Sequence, residues 1–143
     1  MENYAGIVAE LYCSDFPASL EFYTSVCGFS IDYSRDEERF AYLRRGEARL
    51  MIEQTRDPSR RFVAAELTYP FGRGMNLEIA VDDASTLYDS VVAGGTRIFL
   101  DLEERWYRRG ASEVGNLQFV AMDPDGYLLR FAQDLGQREG SET

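Results

Sequence analysis

Apolar and polar positions alternate through residues 4–13, with Ile7, Ala9, Leu11 and Cys13 on one face and Val8, Glu10 and Tyr12 on the other. That period predicts a half-buried strand. Ser14 and Asp15 are helix N-cap types and Pro17 suits a first turn. Phe16, Leu20, Tyr23 and Cys27 then recur at helical spacing until Gly28. Strand-like runs follow at residues 29–33, 40–44 and 48–54, the last two joined by a turn at Arg45, Gly46 and Glu47. Residues 55–74 carry Pro58, Pro70, Gly72, Gly74 and four Arg, and read as a connector with one irregular strand near residues 62–67.

Past the connector the same pattern restarts. Leu77, Ile79 and Val81 alternate with Asn76, Glu78 and Ala80; Asp82 and Asp83 cap a helix bearing Leu87 and Val91, and Gly94-Gly95 closes it. Strands are predicted at residues 97–102, 117–122 and 127–133, the last pair joined by Asp123-Pro124-Asp125-Gly126. Glu10 matches Glu78, Asp15 matches Asp83 and Gly28 matches Gly95, an internal repeat at an offset of about 68 residues. The reading is one α+β domain over residues 1–143: two tandem βαβββ modules, at 5–54 and 75–136, separated by the connector and followed by a polar tail at 137–143. They are expected to form a curved mixed sheet with helices outside and a concave cavity. The second module carries an insertion at residues 103–115. The pattern alone leaves open whether the polar face of the strands binds something or is simply solvated.

Composition narrows the chemistry. The chain has no His, and all 15 basic residues are Arg. Imidazole-based dyads, His-ligated metals and lysine Schiff bases are therefore excluded. A net charge of −10 argues against nucleic acid and anionic membranes as partners and favours a cation. Residues 1–10 lack the basic and apolar regions of a secretion signal, and no run approaches the ~18 apolar residues of a membrane span, so a cytoplasmic location is expected. Cys13 and Cys27 read as buried structural thiols. Phe22, Tyr23, Phe29 and Phe131 read as core.

The segments SDFPASLEFYTSVCGF, VDDASTLYDSVVAGG and QFVAMDPDGYLLRFAQ, in this duplicated order, resemble the vicinal oxygen chelate superfamily. Glyoxalase I, extradiol dioxygenases, fosfomycin-modifying enzymes and bleomycin resistance proteins belong to it. The resemblance covers roughly residues 5–136. Its metal-dependent members hold four ligands on the first, fourth, fifth and eighth strands, positions that fall here on Val8, Met51, Asn76 and Arg130. That set makes no divalent site, because Val and Arg do not ligate, Met prefers soft metals and Asn alone is weak. No metal and no other cofactor is therefore expected.

The resemblance then implies the metal-free branch, bleomycin resistance proteins: homodimeric, non-catalytic binders that sequester a bulky cationic or aromatic drug in an aromatic-lined dimer crevice. On this reading the ligand-binding candidates are Phe40, Tyr42, Met51, Asn76, Glu78, Trp106, Tyr107, Phe119 and Arg130. The alternative is a metal-independent isomerase, epimerase or lyase using Glu10 and Glu78 as acid and base with Arg130 steadying an oxyanion. Against that alternative stands a plain ion pair, Arg130 with Glu78 or Arg49 with Glu10.

Overall fold

The computed structural model describes residues 5–54 and 56–140. Tyr4, Thr55 and the last three residues, on which parts of the expected first strand, connector and tail fall, lie outside the described residues. The described residues divide into two compact units. Each holds one four-stranded mixed sheet, so the tandem βαβββ architecture expected from the repeat is present.

In the first unit β1 (Ala9–Tyr12) runs parallel to β4 (Ala48–Glu53), and β3 (Phe40–Arg45) and β2 (Ser30–Arg35) follow antiparallel, in the order β1-β4-β3-β2. The intervening helix α1 (Phe16–Glu21) starts where the sequence predicts: the Asp15 carboxylate accepts from Ala18 N at 3.1 Å. It ends in a π-helical turn, Phe22–Val26, where the Thr24 hydroxyl donates to Leu20 O at 2.7 Å. Leu11, Ala41, Leu43, Leu50 and Ile52 share one face by register and are at most 2% exposed. Phe16, Phe22, Tyr23 and Phe29 are buried with them, as expected for core. The tight β3–β4 turn needs Gly46, whose φ is +57°.

The second unit repeats the plan. β5 (Asn76–Ala80) runs parallel to β8 (Leu128–Glu139), followed antiparallel by β7 (Ser112–Met122) and β6 (Ile98–Arg109), in the order β5-β8-β7-β6. Asp83 caps α2 (Ala84–Ala93) through Thr86 N at 3.0 Å. Even a secondary detail recurs: Gln54 Oε1 accepts from Phe16 N at 2.7 Å, and Gln133 Oε1 accepts from Ala84 N at 3.0 Å. In each module a glutamine amide oxygen satisfies an orphan donor of the helix start.

Two expectations change, and the insertion gains a conformation the pattern left open. No strand forms near residues 62–67; the connector holds one 3-10 turn, Pro58–Arg60, and Phe62 N donates to Tyr12 Oη at 2.9 Å. The insertion joins the sheet: residues 103–109 and 112–118 pair as the far half of the β6–β7 hairpin. The tail is not frayed at 137, since β8 continues to Glu139 against Ser112. In both cases the backbone ladder, rather than any apolar period, supplies the order. The segment Asp123–Tyr127, between β7 and β8, belongs to the first unit, and Asp123 and Asp125 are buried there. No helix among the described residues is long and apolar enough to cross a membrane.

Candidate functional site

Alternation and register sort the candidates onto faces. In the first unit, Glu10, Met51, Tyr42 and Tyr33 form one cross-strand row, and Tyr12, Glu53, Phe40 and Arg35 the next. These residues occupy the face opposite the buried Leu/Ile side. Tyr33 and Tyr42 stack with ring centres 5.1 Å apart. Phe40 is only 3% exposed, and the Arg35 guanidinium lies 4.0 Å over its ring while pairing with Glu38 at 2.6 Å. Phe40 is thus on the expected face but covered by its own chain. A cavity of about 550 Å³ opens here, lined by Glu10, Glu53, Arg35, Arg39, Arg56 and Phe62 among others. Partial burial, then the neighbouring Glu10, raises the Glu53 carboxyl above its ordinary value. Val8 lies just before β1.

In the second unit the open-face rows are Asn76 with Leu128, Glu78 with Arg130, Val120 and Leu100, and Ala132 with Gln118 and Glu103. A cavity of about 410 Å³ lies over them, lined by Asn76, Phe99, Glu103, Tyr107, Gln118 and Arg130 among others. Its floor is one hydrogen-bond chain. Arg130 donates through Nε to Asn76 Oδ1 at 3.2 Å and through Nη1 to Gln118 Oε1 at 3.5 Å, and Nη1 stands 3.7 Å from Glu78 Oε1. Gln118 Nε2 donates in turn to Tyr107 Oη at 2.6 Å and Glu103 Oε1 at 3.1 Å. Gln118 is 2% exposed, so its amide must be satisfied within the protein, and that need orients the groups above it.

The fold brings Asn76, Glu78, Tyr107 and Arg130 together on this surface, and Tyr42 and Met51 onto the open face of the first unit. Two candidates are corrected. Phe119 is fully buried on the opposite side of its sheet, stacked on Phe131 at 5.3 Å and met edge-on by Tyr88 of α2. Its register partner Phe131 faces the core, so Phe119 must too. Trp106 likewise points away from the cavity that holds Tyr107, since consecutive strand residues alternate. Its ring packs flat on Gly115, where a Cβ would come within 2.7 Å, and Arg138 lies 4.0 Å over it. Of the two ion pairs the sequence allows, Arg130–Glu78 is present; Arg49 instead donates to Gly46 O and Ala48 O at 2.7 and 2.9 Å.

Sequence reasoning misses Gln118, Glu103 and Arg105. The signal for Gln118 is a single amide inside the apolar run of residues 117–122. Glu103 and Arg105 turn inward because β6 slips register between Leu100 and Glu103, an irregularity with no sequence signature.

A divalent metal does not fit this donor set. The Arg130 guanidinium, fixed in charge, occupies the last-strand position and already holds the Asn76 oxygen. Among the described residues no three His, Cys, Asp or Glu side chains converge. The thiols offer no nucleophile either, because burial pushes Cys13 and Cys27 up to about 12. Iodoacetamide at pH 7.5 should therefore label neither cysteine in the folded protein and both in urea, read by intact mass; native labelling within minutes would refute the burial.

The family model for the Glyoxalase/Bleomycin resistance protein/Dioxygenase superfamily matches residues 6–131. Among solved structures, a superfamily member from Vibrio splendidus 12B01 is 35% identical, covering 90% of this chain and 97% of that one, with a TM-score of 0.39. TioX from Micromonospora sp. ML1 is 21% identical over 92% of this chain and all of its own, with a TM-score of 0.71. Virulence protein STM3117 from Salmonella typhimurium is 18% identical over 93% and 98%, with a TM-score of 0.64. These two show a shared fold. No curated protein matches the chain.

Proposed function

The chain belongs to the Glyoxalase/Bleomycin resistance protein/Dioxygenase superfamily, and from that premise we propose that it is a metal-independent binding protein, holding a planar, cationic small molecule on the open face of its second module without transforming it. The observation that carries this reading is the chain Asn76–Arg130–Gln118–Tyr107, with Glu103 as its second branch. Two of its members, Asn76 and Arg130, stand at strand positions where the resemblance would require metal ligands, and the chain is internally satisfied. Such a floor is rigid and redox-silent, suited to presenting a shape rather than activating a water.

The walls supply the recognition. Tyr107 and Phe99 expose ring surface at the cavity, and rings bury large area against a flat ligand at low entropic cost. Glu103 and the overall charge of −10 draw in a cation and raise its association rate. Arg130 is offset by Glu78, so it does not repel such a ligand with its full charge.

Calorimetry with metal-free bleomycin, ethidium and acridine as probes should give saturable heat for at least one, unchanged by EDTA. Tyr107→Ala should weaken that binding about tenfold, which corresponds to ~1.4 kcal/mol. Absence of heat and of any melting shift at millimolar concentration of every probe would refute the reading, as would loss of binding in EDTA.

A further inference from the structure

We propose that the first unit carries a second binding site, one that takes a zwitterionic α-amino acid with an aromatic side chain. The site is the cavity of about 550 Å³ beside the start of β3 and the end of β4, within the size range of small-molecule pockets. It shares no lining residue with the surface over the second module, so it stands whether or not that surface holds a cation.

Its cationic part is built against local preference. Arg39 closes the 3-10 turn Asp36–Glu38: its N–H donates to Asp36 O at 3.0 Å, and its carbonyl accepts from Gln54 N at 2.9 Å. Arg39 is held there at φ +52°, a conformation in which glycine is at ease and a long side chain is strained. No other non-glycine among the described residues has a positive φ. The arginine guanidinium lines the cavity and, among the described residues, has no ion pair, hydrogen bond or ring contact. Arg56 lines the same cavity and is equally unpaired. The other two arginines are engaged: Arg35 pairs with Glu38 at 2.6 Å, and Arg60 lies 5.2 Å over the Phe62 ring. Two unsatisfied guanidiniums lining one cavity call for a carboxylate.

The acidic part has the opposite need. Glu10 pairs in register with Met51, so Glu53 stands one diagonal step from it on the same face. Like charges crowd there, and partial burial, then Glu10, raises the Glu53 carboxyl above its ordinary value. Among the described residues no ion pair joins Glu10 or Glu53 to Arg39 or Arg56. A lone anion would meet the two carboxylates, and a lone cation would leave both guanidiniums unpaired. A ligand with an ammonium beside a carboxylate satisfies both sets at once. Phe62, 71% exposed at the same cavity, offers ring surface to a flat side chain.

Calorimetry on the full chain at pH 7.5 with L-phenylalanine tests this. It should give saturable heat, whereas phenethylamine, which lacks the carboxylate, and phenylpropionate, which lacks the ammonium, should each bind at least about tenfold more weakly. Arg39→Gly should lower the L-phenylalanine affinity about tenfold and yet melt no lower than wild type, because glycine suits the left-handed turn. The phenethylamine affinity should not change in that variant. Should Arg39→Gly not fold, Arg56→Ala carries the same comparison. Glu53→Gln should weaken L-phenylalanine and spare phenylpropionate. In isotope-labelled protein the amide shifts on adding L-phenylalanine should centre on Arg39 and Gln54. The site is overturned by any of four results: no heat at millimolar L-phenylalanine, L-tyrosine or L-tryptophan, equal binding of either one-charge analogue, wild-type affinity in the arginine variant, or shifts centred on Asn76 and Gln118.

Discussion

Replacing Asp123 by Leu is expected to destabilise the protein by about 4 kcal/mol, visible as a large drop in urea midpoint at unchanged slope. Asp123 is 4% exposed and accepts three hydrogen bonds: from Tyr23 Oη at 2.7 Å, Asp125 N at 2.8 Å and Tyr127 N at 3.0 Å. Leucine leaves all three donors stranded in the interior, at roughly 1–3 kcal/mol each before relaxation. Tyr23→Phe removes one donor and leaves Asp123 with two, so it should cost only about 1–2 kcal/mol. A Leu variant no worse than the Phe variant would show that the carboxylate does not organise the turn.

Asp123 also sets a pH dependence whose sign follows from its burial. Desolvation raises the carboxyl from 3.8 to about 6, against the lowering effect of its three donors. The unfolded chain titrates at the ordinary value, so between about pH 4 and pH 6 the folded state binds more protons. Stability from this group is therefore greatest below pH 4 and declines as pH rises through 6, by roughly 3 kcal/mol for a gap of about two pH units. Asp123→Asn removes the titration. The advantage of wild type over the Asn variant should shrink by about that amount from pH 4 to pH 7, measured by urea unfolding of both proteins. An advantage that is constant, or grows with pH, contradicts the raised value.

The second large effect belongs to Gly126→Ala, expected to cost about 3 kcal/mol and lower the melting temperature by about 10 °C. Gly126 has φ +92°, and a Cβ there would lie 2.5 Å from Pro70 Cβ and 2.8 Å from Pro70 Cα. The second of these atoms belongs to the backbone, which does not swing aside, so strain adds to the left-handed penalty of about 1–2 kcal/mol. Gly110→Ala is the control, since Gly110 has φ +63° but nothing within 4 Å of a Cβ. It should show the conformational cost alone. Equal losses at the two positions would mean that the approach of Pro70 to Gly126 is not close in solution.

Gly126 and Asp123 lie in a segment that local pattern assigns to the second module but that packs with the first. A turn signature such as Asp-Pro-Asp-Gly announces a change of direction. It carries no record of what buries the carboxylates.

Local physics decided much of the rest in advance. The repeat, the caps at Asp15 and Asp83, the left-handed Gly46 and the division of β1 and β5 into an apolar and a polar face are all consequences of side chains within a few residues of each other. The same short-range rule put Asn76 and Glu78 together on the polar face of β5, and the residues at the positions the resemblance marks for ligands, Val8, Met51, Asn76 and Arg130, make no divalent site. Only tertiary structure decided which residues complete that surface. Phe119 and Trp106 have the right chemistry but the wrong parity, because a strand's face depends on its partners' register. The shift between Leu100 and Glu103 reverses parity along β6, and so brings Glu103, Arg105 and Tyr107 inward over Gln118. Periodicity reports where a chain alternates; how many residues a pairing skips is settled by the neighbouring strand.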